Sequence, residues 1–318
     1  MSGNLKNKKV SFVIPCYRSE KTLSGVIDEI NNKMPKMQEY SYEIILVNDG
    51  SPDNTWDRVC DLANKDPGHI LGINFAKNFG QHAAIMAGLR ATTGDYVICL
   101  DDDGQTPADE ADKLVRALED GADVAYAKYE HKQHNIFRNF GTFMNETMAS
   151  VMLGKPKELY VSSYFASKRF VVDEMVKYES SYPYVIGLVL RTTKNIVNVE
   201  VNHRKREIGQ SGYSFGKLFA LWVNGFTAFS IKPLRVATLA GTIFAILGFL
   251  YGIYTIIKKI VYPVAPMGYA ALMSAVIFMG GMIMLMLGMI GEYLGRVYIS
   301  QNKNPQYVIR ETTQDDAD

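Results

Sequence analysis

The stretch "YVICLDDDGQTP", Tyr96 to Pro107, runs an apolar segment straight into three consecutive carboxylates. A short apolar run rich in β-branched residues reads as a buried strand. Thr106-Pro107 reads as a helix start, with Thr106 as N-cap and Pro107 at the first helical position. An acidic turn ahead of a helix is an ordinary solvated feature unless its surroundings place it where a ligand binds. The surroundings therefore decide its meaning.

Further apolar runs occur at 10–15, 42–49, 69–75 and 122–127, and helix-like stretches at 22–34, 55–64, 79–91 and 107–119 alternate with them. Such alternation predicts an α/β domain, a mostly parallel sheet covered by helices on both faces. In these sheets ligands bind beyond the carboxyl ends of the strands. That rule selects Pro15-Cys16-Tyr17, Asn48 to Ser51, Phe75 to Gly80 and the three aspartates. Neither G-x-G-x-x-G after the first strand nor the phosphate loop G-x-x-x-x-G-K-[ST] is present, so a dinucleotide-binding or P-loop domain is disfavoured. From 136 to 233 the pattern is less regular, with helix-like segments near 136–152 and 167–177 and an extended run at 195–204.

The chain has 318 residues and a net charge of +1, which argues against a nucleic-acid partner because no basic excess exists to neutralise phosphates. Val236 to Ile257 and Ile260 to Gly291 carry no charge. A membrane-spanning helix needs about 20 apolar residues, and each run supplies enough. The second is expected to begin near Met267, since Pro263 and Pro266 suit a loop. Lys217, Lys232 and Arg235 precede the first run and Arg296, Lys303 and Arg310 follow the second, against Lys258 and Lys259 between them. This asymmetry places both termini in the cytoplasm.

The expected layout is a catalytic domain over 1–213, an interfacial amphipathic helix over 214–233, a two-helix transmembrane hairpin over 234–292 and a cytoplasmic tail over 293–318. The end of that tail, "ETTQDDAD", is expected to be disordered. Cys16, Cys60 and Cys99 show no C-x-x-C spacing and read as reduced, packed thiols. His131 and His134 form an H-x-x-H with no third ligand nearby and read as a polar loop.

On a strand, Asp101 and Asp103 point to one side and Asp102 to the other, with Gln105 one step further. Hard oxygen donors suit Mg²⁺ or Mn²⁺, which bind few protein carboxylates and leave positions open for phosphate oxygens. The direct expectation is a metal-bound diphosphate donor, whose charge on departure the metal stabilises.

The chain resembles family 2 glycosyltransferases of the polyisoprenyl-phosphate type, a group that includes dolichol-phosphate mannose synthase and the bactoprenol glucosyltransferases. The resemblance rests on "SFVIPCYRSEKTL" (11–23), "ILVNDGSPDNT" (45–55), the segment from Lys77 to Pro107, "REIGQSGYS" (206–214) and "FSIKPLR" (229–235). It implies a GT-A fold that moves a sugar from a nucleotide donor to a lipid phosphate at the cytoplasmic face of the inner membrane. The lipid is expected to be undecaprenyl phosphate, and the donor a UDP-sugar with glucose the first choice. Carried over by position, Pro15, Tyr17, Glu20 and Asp49 serve the nucleoside, Asp101, Asp103 and Gln105 match the metal and diphosphate positions, and Asp102 joins the nucleotide-sugar contacts. Lys77 is a further cation for the donor. Arg138, Arg206, Ser211 and Tyr213 are expected to handle the lipid phosphate, and Arg206, Asp101 and Asp103 are the catalytic candidates. Related enzymes form tetramers, which the glycine-rich spans allow.

Two departures stand out. Where relatives carry an acid in a "GDFR"-like segment, this chain reads "YVSSYFASKRF", with Ser162 and Ser163. Where relatives read D-D-G-S, Asn48 replaces one carboxylate. A phosphate acceptor needs no protein base, because its second pKa of about 6 leaves it mostly ionised at neutral pH. Two other readings stay open: a catalytically silent nucleotide-sugar-binding subunit, and a processive polysaccharide synthase. The synthase calls for a Q-x-x-R-W element, and neither Trp56 nor Trp222 sits in one.

Overall fold

Strands and helices form where hydrophobic periodicity switches between two and 3.6 residues. The computed structural model describes residues 8–129, 156, 158–202, 232–261, 268–302 and 304–314. The chain divides into two units, Met1–Ser214 with Lys303–Asp318, and Phe215–Asn302.

In the first unit, strands β1 (Lys8–Cys16), β2 (Tyr40–Asn48), β3 (Ile70–Phe75) and β4 (Tyr96–Cys99) alternate with helices α1 (Leu23–Lys33), α2 (Thr55–Lys65) and α3 (Gln81–Ala91). A short 3₁₀ turn leads into α4 (Ala111–Glu119), followed by β5 (Val124–Tyr129), β6 (Phe165–Lys168), α5 (Arg169–Val176), α6 (Val185–Thr192) and β7 (Ile196–Val201). The last strand, β8 (Ile309–Thr312), comes from the C-terminus. The eight strands are ordered β7-β5-β6-β4-β1-β2-β3-β8. β1 runs parallel to β2 and β4, and β2 parallel to β3. Among the described strands, the antiparallel pairs are those made by β6 with β4 and β5 and by β8 with β3.

From Val10 to Cys16, β1 is buried throughout, as a central strand covered on both faces must be. Helix α4 presents Ala111, Leu114, Val115 and Leu118 to the core, the i, i+3, i+4, i+7 stripe of an amphipathic helix. At Gly88 a Cβ would lie 2.3 Å from Val13 Cγ1, so glycine lets α3 lie directly on β1. Cys16 and Cys99 are buried, Cys60 is half-buried, and none of the three forms a disulfide among the described residues.

The second unit holds two long helices, α7 (Lys232–Val261) and α8 (Tyr269–Gln301). Ala237–Lys258, at mean hydropathy 1.9, and Phe278–Gly295, at 1.4, are long and apolar enough to cross a membrane. At about 1.5 Å per residue, 20 residues span a 30 Å hydrocarbon layer. Thr238 and Thr242 donate their hydroxyls to carbonyls one turn back, at 2.9 Å each, which satisfies these two donors within the helix. Phe244 and Phe278 meet edge to face at 5.4 Å, linking the two helices.

Several expectations are corrected. β4 ends at Cys99, so the three aspartates follow the strand rather than lie on it. Pro107 precedes the first helical residue, Ala108, because the helix opens with a 3₁₀ turn. The segment 293–318 is not a free tail: α8 continues to Gln301, and Ile309–Thr312 pairs with β3 at the sheet edge. Glu311 and Thr312 of the expected disordered end are thus strand residues, held by backbone pairing that sequence polarity does not reveal. The start of the 167–177 helix is overridden by β6, which reaches Lys168. The interfacial helix of 214–233 falls, apart from its last two residues in α7, outside the described residues, as do the 136–152 segment, His131 and His134.

Candidate active site

The carboxyl ends of β1, β2, β3 and β4 bring together the loops that begin at Tyr17, Asp49, Ala76 and Leu100. Tyr17 is 46% exposed at this edge. Arg18 adopts φ +59°, a left-handed conformation rare outside glycine, and its amide donates to Ser51 Oγ at 3.2 Å. Such strained residues cluster at functional sites. Pro15 lies buried in β1 opposite Val47, and Glu20 accepts from Asn54 Nδ2 at 3.4 Å.

Each aspartate of the acidic turn faces a different way. Asp101 accepts from Gln81 Nε2 at 2.8 Å through one oxygen and from the Ser163 hydroxyl through the other. Asp102 turns towards the β1 loop, accepting from the Tyr17 amide at 3.1 Å and the Ser19 hydroxyl. Asp103 Oδ1 accepts from the Gln105 amide at 3.1 Å, closing a tight turn at Gly104. Burial pushes the Asp102 carboxyl up to about 6; bonds from Ser19 and Tyr17 oppose this, and the charges of Asp101 and Asp103 add to it. Because the turn lies beyond the strand, the period-two alternation expected from the sequence does not set these directions; the turn and its hydrogen bonds do.

Asp49 is only 3% exposed, and its two oxygens accept from the amides of Phe79 at 2.7 Å and Gly80 at 2.9 Å. Burial raises its pKa while these two amides lower it. Its visible work is to hold the 77–80 loop against the turn after β2. Gly50, at φ +59°, permits the approach: a Cβ there would lie 2.4 Å from the Lys77 carbonyl carbon. Lys77 places its ammonium 5.1 Å from the Phe79 ring centre.

Among the described residues no group of three or more His, Cys, Asp or Glu side chains is placed to hold a metal ion. An all-protein cage is therefore absent there. One or two carboxylates sharing an Mg²⁺ or Mn²⁺ with substrate phosphates is a different donor set, and a carboxylate such as Asp101 or Asp103 is the hard oxygen donor it calls for.

Gln81, Ser19 and His82 escaped the sequence reading, whereas Ser163 was marked there as a departure without a role. Gln81 and Ser163 bracket Asp101, Ser19 joins Asp102 to the β1 loop, and His82 follows Gln81 on α3. His82 packs edge-on against Tyr184 at 5.3 Å, and burial pushes its pKa down to about 4, so the imidazole is neutral. A polar residue opening a helix at a ligand edge is the only sequence signal any of them carried. Ser162 turns to the backbone, its hydroxyl within donating distance of the carbonyls of Ala127, at 2.9 Å, and Tyr164, at 2.8 Å. Arg138, Arg206, Ser211 and Tyr213 lie outside the described residues.

A mostly parallel sheet whose carboxyl edge carries an acidic turn defines a GT-A-type domain. Consistently, the chain superimposes on glucosyl-3-phosphoglycerate synthase from Mycobacterium tuberculosis in complex with UDP, with a TM-score of 0.52 at 18% identity, over 70% of this chain and 79% of that one. Residues 11–176 match Glycosyl transferase family 2, and residues 232–297 match the GtrB C-terminal hairpin. The chain is similar to undecaprenyl-phosphate 4-deoxy-4-formamido-L-arabinose transferases of Proteus mirabilis, at 33% identity, and Yersinia enterocolitica serotype O:8, at 34%. Each match covers 98% of this chain and 95% of the relative. The chain belongs to glycosyl transferase family 2, and it is a glycosyltransferase.

Proposed function

We propose that the protein transfers one sugar from a UDP-sugar to undecaprenyl phosphate or a related polyprenyl phosphate, with inversion at the anomeric carbon. The observation that carries this reading is the acidic turn at the carboxyl edge of β4 in a chain that matches undecaprenyl-phosphate transferases over nearly its whole length. Two apolar helices in the same chain as the catalytic domain suit a lipid acceptor. The helices also support a membrane location with both termini on one side, the cytoplasm: the chain leaves the catalytic unit before α7 and returns to it in β8 after α8.

An oxygen of the lipid phosphate attacks the anomeric carbon, the bond from that carbon to the UDP oxygen breaks, and UDP leaves with the electron pair. Tyr17 and the loops after β1 and β2 would receive the nucleoside. Asp101 and Asp103 would hold Mg²⁺ or Mn²⁺, which supplies charge neutralisation for the departing diphosphate. Gln81 and Ser163 fix the carboxylate of Asp101 in place before substrate arrives, so that no reorganisation is needed at reaction. Ser163 occupies the segment where relatives carry an acid, and a dianionic phosphate acceptor needs no proton removed. Arg206 and Arg138, with Ser211 and Tyr213, are the proposed lipid-phosphate contacts.

The sugar is a hexose, with glucose the expectation from sequence, or a modified pentose of the kind named for the similar transferases. The deciding experiment incubates the detergent-purified protein with undecaprenyl phosphate, Mn²⁺ and a panel of UDP-hexoses and UDP-pentoses, then weighs the lipid. A gain of one sugar mass supports the reading and names the donor. UDP binding with no product from any donor would instead favour a silent nucleotide-sugar-binding subunit.

A further inference from the structure

Across the carboxyl edge of the sheet, four side chains and two backbone amides form a continuous hydrogen-bonded belt. It starts on β8, where Glu311 Oε1 accepts from Asn74 Nδ2 at 2.6 Å. Asn74 Oδ1 accepts from Asn48 Nδ2 at 2.8 Å, and Asn48 Oδ1 accepts from the Ser51 amide at 3.3 Å. Ser51 Oγ in turn accepts from the Arg18 amide at 3.2 Å, the residue held at φ +59° beside exposed Tyr17. The belt thus runs from the C-terminal strand through β3 and β2 to the β1 loop.

Its direction is set at one end. An ionised carboxylate only accepts, so Glu311 obliges Asn74 to turn its NH₂ outward and its oxygen towards Asn48. Asn48 must then give its NH₂ to Asn74, which leaves its oxygen for the Ser51 amide. Reversing Asn74 would set its oxygen against the carboxylate and its NH₂ against that of Asn48, and reversing Asn48 would set oxygen against oxygen and NH₂ against the Ser51 N–H. Asn48 and Asn74 are 2% and 5% exposed, so water cannot readily replace a lost partner. The same strand grips the neighbouring loop: the Ala76 amide donates to the Val308 carbonyl at 2.9 Å, and Arg310 donates to the Ala76 carbonyl at 3.2 Å.

We infer that Glu311 is a positioning residue for the donor nucleotide, acting through Asn74, Asn48 and Ser51 on the Tyr17-Arg18 loop. The inference rests on the reading that this edge receives a UDP-sugar. It gives the segment after the second apolar helix a part in donor binding, although that segment contributes no group to the reacting atoms. It also accounts for Asn48 where relatives carry a carboxylate: an aspartate there would have no NH₂ to give Asn74.

The test uses the full-length protein in detergent. UDP binding with Mn²⁺ is measured by calorimetry for Glu311→Lys, Glu311→Ala and Glu311→Gln, and amide exchange is followed in peptides covering 16–20 and 48–52. Glu311 is exposed at a sheet edge, so the variants are expected to fold, and their melting temperatures verify it. Glu311→Lys puts a donor against a donor and should weaken UDP binding roughly tenfold, the effect of about one lost hydrogen bond to a charged group. It should speed exchange in both peptides and raise donor KM with kcat nearly unchanged. Glu311→Ala should follow in the same direction, and Glu311→Gln, whose Oε1 still accepts, should restore wild-type behaviour. Wild-type UDP affinity and exchange in both Glu311→Lys and Glu311→Ala would overturn the inference. If the wild-type protein bound no UDP at all, the donor reading would fail, and the exchange data alone would decide whether the belt transmits.

Discussion

Asp49 offers the sharpest test of how the site is held together. Its carboxylate is almost wholly buried and accepts from two backbone amides, at 2.7 Å from Phe79 and 2.9 Å from Gly80. Hydrogen bonds to a charged group contribute about 1.5–3 kcal/mol each, so two of them anchor the loop by about 3–6 kcal/mol before costs. Burial offsets part of that, which is why the Asp49 pKa is raised in spite of its two donors. Asp49→Asn keeps one acceptor oxygen but turns an NH₂ towards the second amide, a net loss of about 1.5 kcal/mol. Asp49→Ala removes both acceptors and should cost about 3 kcal/mol. Native-state hydrogen exchange reads these values directly, because the Phe79 and Gly80 amides exchange when the loop opens. At about 1.4 kcal/mol per factor of ten, Asp49→Asn should exchange there about tenfold faster and Asp49→Ala at least a hundredfold faster. Exchange within threefold of wild type in Asp49→Ala would show that the loop is held by other contacts, such as Asn78 Nδ2 to the Asp49 carbonyl at 3.1 Å.

Three further outcomes are expected. Asp103→Asn should lower kcat at least a hundredfold at saturating Mg²⁺ or Mn²⁺, given the several kcal/mol that metal stabilisation of a leaving group contributes; full transfer would remove Asp103 from the metal site. Ser163→Ala should lower kcat/KM by about tenfold through loss of one charge-assisted bond to Asp101, whereas Ser163→Asp should shift the acid limb of the pH–rate profile upward by setting a like charge beside it. Glu43, far from the site, is a control for stability. Burial pushes its pKa up, but bonds from Lys9, Ser11 and Thr93 outweigh this and hold it below the usual 4.5. A depressed carboxyl stabilises the fold above its unfolded pKa and loses that contribution as pH falls through the folded value. Glu43→Gln should therefore lower the melting temperature at pH 7, flatten the acid loss of stability below about pH 4.5, and leave donor KM unchanged.

Much of this molecule was legible in one dimension. Buried central strands read as apolar runs because both faces are covered, so β1 to β5 and the helices between them follow from periodicity alone. The acidic turn was legible because a parallel sheet sends its loops to a common edge, and the two apolar helices because length and absence of charge are local properties. Where a feature depends on partners distant in sequence, the residues alone stayed silent. Polarity suggested that 311–318 was disordered, yet Glu311 and Thr312 lie in a strand, because β3 offers an open edge and Asn74 a donor. Nothing local to Ser163 or Gln81 announces that Asp101 lies between them, with sequence separations of 62 and 20 residues. Sequence by itself determined the α/β order, the apolar helices and the acidic composition of the ligand edge, since these follow from nearest-neighbour pattern. Tertiary structure alone decided which way each aspartate faces and what holds it, because hydrogen-bond partners are chosen by proximity in space after the strands have paired.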